Sequence, residues 1–139
     1  MKILVACNGS QRALRAVKYA SGLARLRRSP DHITLVNVHD NAGRHDEGAV
    51  NASASVGLMK LSDKELTAAR DLLEATGVDF DVEIRTGHVA QEISRCADEG
   101  AFDVVVLGPQ RHGAVADRST GSVEQTMLVI SSQPVVVVR

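Results

Sequence analysis

Short apolar runs alternate with stretches of helical period from one end of the chain to the other, and this alternation restricts the fold more than any other feature. Ile3 to Cys7 is continuously apolar and is bounded by Asn8-Gly9, the pattern of a strand covered on both faces. Ser10 suits an N-cap, and Ala13, Leu14, Ala16, Val17, Ala20, Leu23 and Ala24 then recur at helical spacing, with Arg12, Arg15, Lys18 and Arg25 opposite. Ser29-Pro30-Asp31 ends that helix, and Ile33 to Val38 reads as the second strand. The Gly-, Asn- and Ser-rich stretch from Asp40 to Gly57 reads as a long mobile connection, of a length that points to function or disorder.

Helical period resumes at Leu58 and runs through Leu61, Leu66, Ala69, Leu72 and Leu73 to a stop at Gly77. Val78, Phe80, Val82 and Ile84 alternate with Asp79, Asp81, Glu83 and Arg85, which predicts a half-exposed strand at a sheet edge. A helix carrying Val89, Ile93 and Ala97 lies between Gly87 and Gly100, and Phe102 to Leu107 is the most hydrophobic strand, suited to the sheet centre. A loop from Gly108 to Gly121 leads to a last helix through Val123, Met127, Leu128 and Ile130, and Pro134 opens the final strand, Val135 to Val138. The order β-α-β-α-β-α-β-α-β predicts one α/β domain over residues 1–139, a parallel sheet with helices on both faces and right-handed crossovers. In such a sheet ligands bind outside the carboxyl ends of the strands. The loops to inspect are Asn8-Gly9-Ser10, Val38-His39-Asp40 and Gly108 to Ser122.

Composition narrows the partners. A 44% hydrophobic and 24% charged chain of 139 residues is neither disordered nor too short for a core. Its net charge of −1 argues against nucleic acid, and 2% aromatics leave little for stacking bases. The opening apolar stretch is too short for a secretory or membrane-spanning segment, so the expected setting is cytoplasmic with no membrane partner. Cys7 and Cys96 lack C-x-x-C spacing and read as small core residues, with a redox-sensing Cys7 as the alternative.

Gly108-Pro109-Gln110-Arg111-His112-Gly113 to Ser119-Thr120-Gly121-Ser122 is the most informative segment. It leaves a buried strand and ends at a helix amino terminus, where free N–H groups and the helix dipole favour an anion. Arg111, His112 and Arg118 add positive charge, while the competing reading makes Ser122 and Gln125 a capping box and the glycines mere turns. His39-Asp40 and His45-Asp46 read as solvated polar residues rather than metal ligands, and His32 and His88 as surface residues. Arg25-Leu26-Arg27-Arg28 complements the dipole of the first helix. The all-valine terminal strand, Val135, Val136, Val137 and Val138, invites pairing with a second copy if it lies at an edge, unless its own chain covers it.

Over essentially its whole length the chain resembles the universal stress protein family. The resemblance rests on Ile3 to Ser10, Leu35-Val36-Asn37-Val38, Gly87, Asp103 to Gly108, Gly121-Ser122-Val123 and Pro134 to Val138, with Gly108, Gly121 and Ser122 matching the pattern G-x2-G-x9-G-[S/T]. It implies a Rossmann-like sandwich of the adenine nucleotide alpha hydrolase type, with a five-stranded parallel sheet of order 3-2-1-4-5. It also implies a homodimer through the last strand and, in nucleotide-binding members, ATP with Mg. Carried over by position, the nucleotide residues are Ala6, Asn8, Val38, Gly108, Gln110, Arg111, Gly121, Ser122 and Val123. Asn8 stands where those members have Asp, and Arg111 where they have glycine; the guanidinium either reaches a phosphate or fills the site. No residue of the motif supplies a general base, so no catalytic residue is assigned and a nucleotide sensor is the leading reading. A nucleotide-independent dimer acting through protein partners and a slow ATPase are the alternatives.

Overall fold

In the computed structural model every strand pairing is parallel, and the order across the sheet is β3-β2-β1-β4-β5, as the resemblance implies. The elements are β1 (Lys2–Ala6), α1 (Gln11–Arg25), β2 (His32–His39), α2 (Ala52–Thr76), β3 (Phe80–Thr86), α3 (Val89–Glu99), β4 (Val104–Leu107), α4 (Val123–Ile130) and β5 (Val135–Val137). The structure describes residues 1–26, 31–40, 52–109 and 122–139.

Period-two geometry explains why the interior of the central strands is apolar on both faces, with Thr34 and Asn37 of β2 as buried polar exceptions. Ile3, Val5, Ile33, Leu35, Val104 and Val106 face α1 and α2, whereas Leu4, Ala6, Val36, Val105 and Leu107 face α3 and α4. The buried stripe of α1 is Ala13, Ala16, Val17, Ala20 and Ala24, short side chains that bring the helix axis close to the sheet. Ser10 caps that helix by accepting from the Ala13 N–H at 3.1 Å.

β3 lies at one edge of the sheet, as its alternation predicts. Val78, Phe80 and Val82 pack on the α1 and α2 side. Its polar face is covered by paired charge: Arg85 meets Glu83 and Glu99 at 2.6 Å each and Glu92 at 3.4 Å. β5 forms the other edge and β4 lies inside it.

Several boundaries differ from the sequence reading. Residues 52–57, read as part of the long connection, are the first turns of α2; alanine at 52 and 54 favours helix, and Gly57 sits at an open helix position where a Cβ would meet nothing within 4 Å. Phe102 precedes β4 because the chain first turns there: the Asp103 carboxylate accepts from the Lys2 N–H at 2.7 Å, and the Lys2 ammonium lies 5.0 Å from the Phe102 ring centroid. β5 ends at Val137, although the Val138 N–H still donates to the Leu107 carbonyl at 2.8 Å. Residues 41–51 of the connection lie outside the described residues, as do Arg27 and Arg28.

Candidate functional site

The order of strand addition reverses between β1 and β4. The chain moves outward from β1 to β2 and β3, then crosses to β4 and β5. The carboxyl ends of these strands are therefore the expected ligand crevice.

At the end of β1 the chain turns through Asn8-Gly9-Ser10. Gly9 has φ +82°, and a Cβ there would lie 3.0 Å from the Glu65 Cα, so both backbone sign and space demand glycine. The Asn8 Oδ1 accepts from the Ser10 N–H at 3.1 Å, which holds the side chain in an Asx-type turn at the mouth of the crevice. Asn8 is exposed, and it joins Ala6, Cys7, Val36, Val38, Val89 and Ile93 in lining a small cleft. Three of the positions carried over from the family pattern, Ala6, Asn8 and Val38, thus converge.

Gly108 ends β4 in close contact with α1. A Cβ there would stand 2.5 Å from the Arg12 carbonyl oxygen, so only glycine lets the strand end approach the first turn of that helix. Ser122 opens α4 with a complete capping box: its Oγ accepts from the Gln125 N–H at 3.3 Å, and the Gln125 Oε1 accepts from the Ser122 N–H at 3.5 Å. Capping uses the hydroxyl as an acceptor, and its own O–H remains a donor. Val123 is buried against the second core with Met127 and anchors the helix start. Gln110, Arg111 and Gly121, with His112 and Arg118, lie outside the described residues, as do His45 and Asp46.

A polar network beneath this crevice went unread in the sequence. Asn37, fully buried in β2, donates through Nδ2 to the Cys7 carbonyl and to the Glu65 carboxylate, each at 2.8 Å. Both neighbours are acceptors, so the Asn37 amide has one orientation, and its Oδ1 accepts from the Ser62 hydroxyl at 2.9 Å. Ser62 has no second hydrogen to give. His39 Nε2, 2.6 Å from the Ser62 Oγ, is therefore the donor of that pair. The chain His39, Ser62, Asn37, Glu65 ties the ends of β1 and β2 to α2 directly under the Asn8 turn. A polar residue in the middle of Leu35-Val36-Asn37-Val38 was the available signal, but its partners come from a helix distant in sequence.

Neither cysteine is poised to react. Burial pushes the Cys7 thiol up, against a hydrogen bond from the Gly9 N–H, and the Glu65 charge pushes the same way. Cys96 is pushed up to about 12 by burial, reinforced by its 3.3 Å hydrogen bond to Glu83. Both are core thiols held protonated near neutrality, and the redox reading of Cys7 finds no electropositive, exposed setting.

The sequence profile described as the universal stress protein family matches residues 1–139. The chain belongs to this family. It is 26% identical over 138 residues to a universal stress protein of Synechocystis sp. (strain ATCC 27184 / PCC 6803 / Kazusa), an alignment that takes in 99% of this chain and 42% of that relative. The chain thus spans less than half of that longer protein. Among solved structures, this universal stress protein is similar in fold to the hypothetical protein MJ0577, with a TM-score of 0.79 and 21% identity over 99% of this chain and 94% of the other. It is similar to a universal stress protein in complex with cAMP, at TM-score 0.76 and 23% identity over 100% and 97% of the two chains. A universal stress protein family protein from Arabidopsis thaliana with AMP bound gives TM-score 0.66 and 19% identity over 99% and 90%.

Proposed function

We propose that this universal stress protein is a cytoplasmic stress-response sensor that binds an adenine nucleotide, ATP with Mg, at the carboxyl ends of β1, β2 and β4. The observation that carries the reading is the convergence of Ala6, Asn8 and Val38 on one cleft beside the point where the strand order reverses. Ala6 and Val38 offer aliphatic contact to a base, which suits a chain almost without aromatic side chains. The amino terminus of α4 offers N–H groups and the free Ser122 O–H to phosphate. Relatives of the same fold with cAMP or AMP bound support an adenine ligand.

Among the described residues that line the cleft, Ala6, Cys7, Asn8, Val36, Val38, Val89 and Ile93, none carries a carboxylate or imidazole to serve as a general base. The reading is therefore binding without turnover. Homodimerisation through β5 is part of the same proposal, because an edge strand of valine lies beside a largely exposed Leu128 and Val129 on α4. That feature also favours the second reading, a nucleotide-independent dimer acting through protein partners.

Calorimetric titration with Mg-ATP separates the two. The sensor reading predicts saturable heat that disappears in Gly121→Val combined with Ser122→Ala, with no ADP formed over hours. No heat at millimolar Mg-ATP overturns it in favour of the nucleotide-independent dimer, and pocket-dependent ADP formation restores the enzyme reading.

A further inference from the structure

We propose that the outward face of α1 is a docking surface for an acidic amphipathic helix of a protein partner. The inference stands apart from the nucleotide reading, since it uses no side chain of the crevice.

α1 separates its packing from its charge. Ala13, Ala16, Val17, Ala20 and Ala24 are buried, whereas Arg12, Arg15, Lys18 and Arg25 all lie exposed on the opposite side. The helix contains no Asp or Glu, and among the described residues none of its four cations takes part in an ion pair. α1 is thus +4 in a chain of net charge −1, which leaves −5 for the remaining residues. From Arg12 to Arg25 the helix runs about 20 Å, so the charge forms a stripe.

The stripe also has shape. At about 100° per residue, Arg15 and Gly22 run down its middle, with Tyr19 and Leu26 along one side and Lys18 and Arg25 along the other. Tyr19 is 47% exposed and Leu26 83%. Gly22 makes a notch beside them, because a Cβ there would meet nothing within 4 Å. Glycine weakens a helix interior, and neither a positive φ nor a close contact within this chain requires it at this position. A notch of this kind lets a second helix approach closely, and arginine with tyrosine around it is the composition of an interface centre.

Charge and shape together select the occupant. The −5 carried by the rest of the chain repels an extended nucleic acid beyond the helix, and one tyrosine with two phenylalanines gives the chain no stacking platform. An anionic bilayer requires an apolar face to insert, and that of α1 is packed on the sheet. A second α1 laid twofold on this one would set like charges opposite each other. A short helix with carboxylates on its flanks meets the cations and lays its apolar side chains on Tyr19, Gly22 and Leu26.

The probe is a fluorescent peptide repeating Leu-Glu-Ala-Leu-Glu-Glu-Ala, with its Lys-for-Glu counterpart as control, titrated with the full chain by anisotropy. Saturable binding of the acidic peptide is expected, weakened at least about tenfold by Arg15→Glu with Lys18→Glu, and at least about threefold by Gly22→Leu, which fills the notch and leaves the charge alone. Thermal melts confirm that each variant is folded, and Lys18→Glu with Arg25→Glu replaces the first pair if that pair does not fold. No saturation at millimolar peptide, equal binding of the Lys peptide, or an affinity that charge reversal leaves unmoved overturns the proposal. Full affinity in Gly22→Leu reduces the face to unshaped charge attraction and overturns docking. Tighter binding of duplex DNA or of phosphatidylserine-containing vesicles overturns the choice of occupant, as does self-association of the chain that the same charge reversals abolish.

Discussion

Asn37 fixes more of the site than any residue in the cleft itself. It is fully buried, satisfies the last carbonyl of β1, and joins Glu65 to Ser62 and His39. Replacing it with alanine strands the Cys7 carbonyl and the Ser62 hydroxyl without water, a loss of about 3 kcal/mol in urea unfolding. Asn37→Ala should also broaden the amide resonances of Asn8 and Gly9, whereas an equally destabilising cavity at Leu73, across the core, should leave them sharp. A second residue-scale prediction concerns pH. Because the folded state holds the Cys96 proton up to about 12 against an ordinary 9.0, its contribution to stability is complete below pH 9 and is lost as pH rises from 9 towards 12. Urea midpoints should therefore fall more steeply between pH 8.5 and 10.5 in the wild type than in Cys96→Ala; parallel slopes would refute this. At this scale the sequence was legible where a residue acts through its own backbone neighbours, as Ser10 and Ser122 do as caps. It was not legible for Asn37, whose meaning depends on side chains brought in by α2.

At the scale of elements, the continuous apolar runs of β1 and β4 and the alternation of β3 identified interior and edge strands correctly, because burial on one or two faces writes a different period into the sequence. The polar face of β3 was ambiguous. Glu83 and Arg85 look solvent-directed in a linear pattern, yet Arg85 meets Glu92 and Glu99 of α3, and Glu83 accepts from the Cys96 thiol of the same helix. The first turns of α2 were hidden for the opposite reason, a small-residue composition that suits loop and helix alike. β5 allows a sharp test. The Pro134 carbonyl accepts from the Val105 N–H and the Val138 N–H donates to the Leu107 carbonyl, so the N–H groups of Val135 and Val137 face away from β4. If a second copy adds to this edge, Val137→Pro removes an outward donor without breaking a β4 hydrogen bond. Sedimentation equilibrium should then show a wild-type dimer at tens of micromolar and a folded Val137→Pro monomer. A monomeric wild type, or a variant that stays dimeric, excludes pairing through β5.

For the whole molecule, an aliphatic composition translates into a tightly layered sheet with a small cleft at the carboxyl ends of β1 and β2. Helices with alanine-rich or small-residue faces sit close to valine and isoleucine strands, and the buried polar network of Asn37, Ser62, His39 and Glu65 lies where β1 and β2 terminate. The parallel sheet was legible from the alternation of strands and helices, whereas the strand order was what the family resemblance implied. The cleft was legible as a location, but the hydrogen-bond polarity within it emerged only from coordinates. The most direct test is a ¹H–¹⁵N correlation titration of the intact chain with Mg-ATP. Binding at the strand ends predicts saturable shifts confined to the amides of Cys7 to Ser10, Val38 to Asp40, Leu107 to Gly108 and the first turn of α4. An unchanged spectrum at millimolar nucleotide, or shifts clustered instead on the outer faces of α3 and α4 around Gln91 and Ile130, would contradict it.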